Sequence, residues 1–226
     1  MPIPWEPHVQ KSGQLTVFPA PNMLSAPAWG QSLFQRILFD FNRLAQINLL
    51  GVRMVSPQGI QEPQRNGLGA DIRFDVTNGP CKFFNIAGTD QEGILDTSPG
   101  HIKGICFSVV SGAKFQKIWK AFIFLPTNPI ASARTVGVNV RIALALHELL
   151  HACGLKGDDP GHGTPAVPAQ GDLDLYATGG VVLPATNPDD DQFLIGGKLV
   201  PSRNGQFTIT TRTASLVQSI WLLGQF

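Results

Sequence analysis

His147-Glu148-Leu149-Leu150-His151 is the stretch on which the reading of this chain turns. An α-helix advances ~3.6 residues per turn, so two histidines four positions apart share one face. Both imidazoles can then reach a single ion, and Glu148, one residue on, stands beside the position left for water. Two nitrogen donors, a carboxylate base and an open coordination position are what a catalytic zinc site requires. The chain has only five His, so a chance match on an ordinary amphipathic helix is the weaker reading.

The flanks point to a helix buried on most sides. Val140-Arg141-Ile142-Ala143-Leu144-Ala145-Leu146 leads into the motif, and Ala152-Cys153-Gly154-Leu155 follows it. Asn139 is the expected N-cap, the Ala and Leu content favours helix, and Gly154 suits a left-handed C-terminal cap. Arg141 is the single charge in the run before the motif, so the helix belongs inside a domain. Two His and a Glu buried there need a partner, and a metal is the simplest one.

His147 to Leu155 resembles the HExxHxxG(L) helix of the metzincin metallopeptidases, most closely the matrixin branch. The resemblance implies that the helix ends at Gly154, the chain turns, and a third His three residues later completes a Zn²⁺ site. Gly157 stands at that position here. The next donors are Asp158, Asp159 and His162, the last lying five positions beyond Gly157. His162 is the expected third ligand, because neutral imidazole is a common zinc donor and a Gly/Pro loop can re-aim it. Asp158 or Asp159, as oxygen ligands, is the alternative. The family also carries a Met-turn under the metal, yet Met occurs here only at positions 1, 23 and 54. Leu175-Tyr176, within Gly171 to Ala177, stands where the family has Met-Tyr, and Leu is close to isosteric with Met. Tyr176 is either a catalytic donor that steadies an oxyanion or a core aromatic.

Further matches follow in the family's order. Ala70 to Val76 alternates as a half-buried strand, Lys120 to Pro126 resembles the strand before the active-site helix, and Ser215 to Gly224 resembles the short C-terminal helix. The resemblance implies an α+β, metzincin-like (zincin) catalytic domain over 29–226. In it a twisted mixed β-sheet packs on an N-terminal helix and the active-site helix. Residues 1–28, rich in Pro, read as an N-terminal arm or edge strand around Leu15-Thr16-Val17-Phe18. Leu33, Phe34, Ile37, Leu38, Phe41 and Leu44 mark a helix over 32–44 with one apolar stripe. Strands are expected at 51–55, 104–110 and 115–125, and a hairpin from 193–199 to 206–211 around Pro201 to Gly205. An edge strand beside the metal is where an extended peptide would pair. Residues 78–104 read as a long loop. Its Asp90, Glu92 and Asp96 either hold Ca²⁺, as such loops do in matrixins, or form a solvated acidic surface without ordered ligand spacing.

Composition narrows the function classes. With 43% hydrophobic and 15% charged residues and a formal charge of +1, the 226-residue chain is globular. Nothing in it invites nucleic acid or an anionic membrane, and no phosphate-binding loop or bilayer-length apolar run occurs. The start, Met-Pro-Ile-Pro-Trp-Glu-Pro-His, lacks the basic and apolar regions of a secretory signal, so a cytoplasmic location or leaderless export is expected. The three Cys (81, 106 and 153) fit a reducing compartment, with Cys153 a core thiol. Cys81 lacks the surroundings of the propeptide cysteine that holds matrixins latent. The resulting expectation is a zinc metalloendopeptidase acting on protein or peptide substrates, with Glu148 as general base. A catalytically inactive, zinc-stabilised structural or binding protein is the competing class, and a hydrolase of small amides a third.

Overall fold

A computed structural model describes residues 2–98, 102–131, 133–159, 162, 173–176, 182–195, 198–201 and 207–222. The protein is α+β, with a five-stranded mixed sheet and five α-helices among the described residues. None of those helices is long and apolar enough to cross a membrane.

The N-terminal segment is not an arm. Helix α1 (Pro7–Ser12) leads into β1 (Gln14–Pro19), which lies inside the sheet between β2 (Arg53–Val55) and β3 (Ile72–Thr77), parallel to both. Leu15 and Val17 are fully buried, as an interior strand requires. The short α2 (Pro21–Ser25) then hands the chain to α3 (Gln31–Ile47), whose buried face carries the expected stripe from Leu33 to Leu44. The Pro-rich composition that reads as an arm serves short helix starts here: Pro7 and Pro21 stand at first-turn positions, where a missing N–H costs nothing.

Residues 78–104 also hold more structure than a loop. Strands β4 (Pro80–Phe84) and β5 (Asp90–Ile94) form an antiparallel hairpin over one face of the sheet. Phe83 stacks on Phe107 at 4.3 Å between ring centroids, and Phe84 meets Phe122 edge-on at 5.0 Å, so aromatic packing seats the hairpin. Strands β6 (Ile105–Ser111) and β7 (Lys117–Pro126) complete the sheet in the order β2-β1-β3-β7-β6. Pairing is parallel from β2 to β7, and β6 runs antiparallel at the edge.

A small antiparallel pair, β8 (Ile130–Ala131) and β9 (Arg134–Thr135), precedes helix α4 (Val138–Ala152), which carries the quoted motif. Its start differs from expectation. Gly137 is the N-cap, and Asn139 lies buried inside the first turn. The capping carboxylate comes from far along the chain: Asp191, fully buried, accepts from Gly137 N at 2.8 Å and from Ala185 N at 3.0 Å, and pairs with Arg134. A negative group at a helix N-terminus satisfies an orphan N–H and complements the macrodipole.

The other end of α4 is capped at long range too. Ala152 O accepts from the Trp5 indole at 2.7 Å, Cys153 O from the Trp221 indole at 3.0 Å, and Gly154 O from Ile3 N at 2.9 Å. Gly154 has φ +111, and a Cβ there would lie 2.3 Å from Ile3 O, so only glycine fits this approach. Cys153 is fully buried, as expected of a core thiol. Trp221 closes α5 (Thr211–Trp221), the expected C-terminal helix, which starts at a Thr210 side-chain cap.

Between α4 and α5 the pairing departs from the expected hairpin. Strand β10 (Leu173–Asp174) pairs parallel with β14 (Phe207–Thr208). Strand β12 (Gln192–Ile195) pairs antiparallel with both β11 (Val182–Leu183) and β13 (Lys198–Pro201). The expected first strand, 193–199, thus falls in two strands that pair with each other, Ile195 opposite Lys198. Residues 202–205 of the anticipated turn and 196–197 and 206 of its strands lie outside the described residues, as do 99–101, 160–161, 171–172, 177 and 223–224.

Candidate metal centre

His147 and His151 project from one face of α4, and His162 reaches them from the following loop. The three Nε2 atoms form a near-equilateral triangle: 3.1 Å from His147 to His151, 3.1 Å from His151 to His162, and 3.2 Å from His162 to His147. Nitrogen donors about 2.05 Å from a tetrahedral metal stand roughly 3.3 Å apart, so the spacing matches one small ion held by all three. Among the described residues, this is the only group of three or more donor side chains close enough to share an ion.

The outer nitrogens explain why the inner ones converge. His147 Nδ1 lies 2.7 Å from Leu175 O and His151 Nδ1 lies 3.0 Å from Leu155 O. A carbonyl oxygen only accepts, so each of these Nδ1 atoms carries the proton and each Nε2 of a neutral ring presents a lone pair. His162 is hydrogen-bonded to the Gly157 backbone. Burial holds all three imidazoles neutral, pushing His147 down to about 3, His151 down to about 4, and lowering His162 as well. Three lone pairs at ~3 Å repel one another unless a cation lies between them, and outer hydrogen bonds to carbonyls are the usual support of metal-bound His.

The third donor answers the gap left by Gly157. A Cβ at Gly157 would lie 3.8 Å from His162 Cε1. The longer loop therefore brings its imidazole back beside the place from which a shorter one would project. Asp158 is exposed, and Asp159 is committed elsewhere: its Oδ2 accepts from Lys156 N at 2.7 Å. Neither aspartate belongs to the cluster of three donors.

Glu148 faces a different neighbour. It is buried, and no hydrogen bond from a described residue holds its carboxyl, so burial alone raises its pKa to about 8. A Cβ at Gly104 would lie 2.7 Å from Glu148 Oε1 and 2.6 Å from its Cγ. Glycine just before β6 is what admits the glutamate side chain, and it sets the carboxyl at the start of the edge strand.

Tyr176 takes a position other than that of an oxyanion donor. Its ring is fully buried and lies 5.1–5.9 Å from all three imidazole centroids, forming a floor under them. The hydroxyl donates to Lys156 O, so it is turned into the loop, and burial raises its pKa. Leu175, also fully buried, contributes its carbonyl to His147. The ring of Tyr176 thus forms the base under the imidazoles, a part the sequence reading gave to Leu175.

The acidic residues weighed for calcium do not gather. Asp90 pairs with Arg65 at 2.5 Å, Glu92 lies opposite Lys82 across the hairpin, and Asp96 accepts from Ser98 N at 3.0 Å.

The residues that sequence reasoning missed act through their backbones: Leu155 O, Leu175 O, and the N–H and carbonyl of Lys156. No side-chain pattern announces a carbonyl. No protein-family model matches this chain and no curated protein sequence matches it, so the reading of the centre rests on its own residues.

Proposed function

We propose that this protein is a zinc-dependent metalloendopeptidase of metzincin type, with His147, His151 and His162 as metal ligands and Glu148 as general base. The observation that carries the reading is the triangle of lone-pair-bearing Nε2 atoms with a buried carboxyl next to it in the chain. Donor chemistry favours zinc: three neutral imidazoles and an open fourth position are a known catalytic zinc set. Zinc, when bound, acts as a Lewis acid that polarises a carbonyl and acidifies water.

The rest is done by the chain. Glu148 sits in a dry setting that holds its carboxyl close to neutrality in affinity for a proton, which suits a group that must both take and give one. It removes a proton from the attacking water and later delivers it to the leaving amine nitrogen. With a cation held by the three imidazoles, Glu148 would have its pKa lowered from the metal-free value, and the carboxylate would be its resting form. Strand β6, at the sheet edge among the described residues and starting beside Glu148, is where an extended peptide would pair through main-chain hydrogen bonds.

The test is zinc content by elemental analysis together with casein or gelatin cleavage, on wild type and Glu148→Gln. One zinc per chain in both, with turnover lowered ~10²–10⁴-fold in the variant, is the expected result. Equal cleavage by the two would remove Glu148 from the mechanism. Zinc without cleavage in wild type would make the centre structural.

A further inference from the structure

The loop that delivers His162 is folded around the backbone of one residue, Lys156. Its carbonyl accepts from the Tyr176 hydroxyl and from Asp159 N, the latter at 3.1 Å. Its N–H donates to Asp159 Oδ2 at 2.7 Å. Asp159 O in turn accepts from His162 N at 3.1 Å. A continuous set of hydrogen bonds therefore runs from the floor of the centre, through Lys156 and Asp159, to the backbone of the third donor.

We propose that Tyr176 and Asp159 are positioning residues for His162, a couple that lets this longer loop present an imidazole where Gly157 has none. The proposal rests on the metal-centre reading above. Two features make the pair more than packing. Tyr176 reaches both partners, its ring against all three imidazoles and its hydroxyl on the loop, so one side chain sets the distance between floor and ligand. Asp159 is buried in a segment whose neighbours Gly157 and Asp158 are exposed, and its carboxylate holds the turn that carries His162. His147 and His151 need no such help, because α4 holds their spacing.

The consequence is selective. Loss of either positioning group releases His162 while leaving the helix donors in place, so the metal passes from three imidazoles to two. Cobalt(II) alone is the probe, titrated into metal-free protein and read by its visible d–d absorption. Wild type and His162→Ala define the spectra of the three- and two-imidazole centres. Tyr176→Phe, which keeps the floor and removes the hydroxyl, is expected to weaken cobalt affinity ~10-fold or more and to shift the spectrum toward that of His162→Ala. Asp159→Ala should behave alike, whereas Asp159→Asn, which keeps an acceptor oxygen for Lys156 N, should restore the wild-type spectrum.

Thermal midpoints of the metal-free variants separate a displaced ligand from an unfolded chain. A Tyr176→Phe protein that folds and binds cobalt with wild-type affinity and spectrum overturns the proposal and leaves the metal centre standing. If Tyr176→Phe fails to fold, the Asp159 pair decides: equal spectra for Ala and Asn overturn the proposal, and a difference between them supports it. A wild type that takes up no cobalt overturns the metal-centre reading and this inference together.

Discussion

Helix α4 and the loop after it each bring donors to the same centre, yet they are held in different ways. The helix is buried along most of its length, and both of its ends are tied to distant parts of the chain: Asp191 at the start, Ile3, Trp5 and Trp221 at the finish. The loop, by contrast, has exposed residues at Gly157 and Asp158 and depends on a few polar bonds around Lys156. Damage to the helix seat should therefore cost global stability with or without metal. Damage to the loop should cost metal binding and little else.

The largest effect should come from the buried carboxylate at the helix start. Asp191→Ala strands the N–H groups of Gly137 and Ala185 and breaks the Arg134 pair, for an expected loss of about 3 kcal/mol in denaturant unfolding. A loss confined to the zinc-loaded form would mean that this end of α4 serves the metal rather than the fold. At the other end, Gly154→Ala meets both a positive φ and the Ile3 carbonyl, and about 2 to 3 kcal/mol should be lost. An unchanged midpoint would show that the N-terminal segment yields without cost.

Next in size is the pH dependence of the metal-free protein. Glu148, raised from 4.5 to about 8 when folded, keeps its proton where the unfolded chain has lost it. Its contribution to stability is therefore complete below pH 4.5 and is lost as pH rises toward 8, by about 2 kcal/mol between pH 6.5 and 8. His147 and His151, lowered to about 3 and about 4, act in the opposite sense: below pH 6.5 the unfolded chain takes up protons that the folded one refuses. Metal-free stability should peak near pH 6.5, and zinc should flatten the alkaline limb, since a cation beside Glu148 favours its charged form. Urea melts from pH 4 to 9, with and without zinc, would show a monotonic curve if the carboxyl were solvated.

The smallest change is Trp5→Phe, which keeps the ring buried and deletes one bond to Ala152 O, for about 1 kcal/mol. The same loss in zinc-loaded and metal-free protein would place Trp5 with the helix seat. A loss of zinc affinity would instead tie the two regions together.

How far each region could be read beforehand follows from the same contrast. The four-residue spacing of His147 and His151 is enough to bring them together, because a helix repeats every ~3.6 residues whatever surrounds it. The stripe from Leu33 to Leu44 is legible for the same reason, and a stop for α4 just before Gly154 is legible from the glycine itself. Strand β1 was not, since a short apolar run among prolines looks alike at an edge and in the middle of a sheet; its neighbours Arg53–Val55 and Ile72–Thr77 lie far along the chain. Asn139 was misplaced because Asp191, 54 residues beyond Gly137, took the capping role. His162 could be named as a donor from its chemistry, whereas its choice over Asp158 and Asp159 depended on how the loop folds about Lys156.

Residue identity and local period thus account for the helix donors, the carboxylate between them and the apolar face of α3. The path of the N-terminal segment through the sheet, the caps of α4, the tyrosine floor and the return of His162 over Gly157 came from contacts between residues distant in sequence. Those contacts depend on which hydrogen-bonding groups and surfaces meet once the chain is compact, and no local repeat records such meetings.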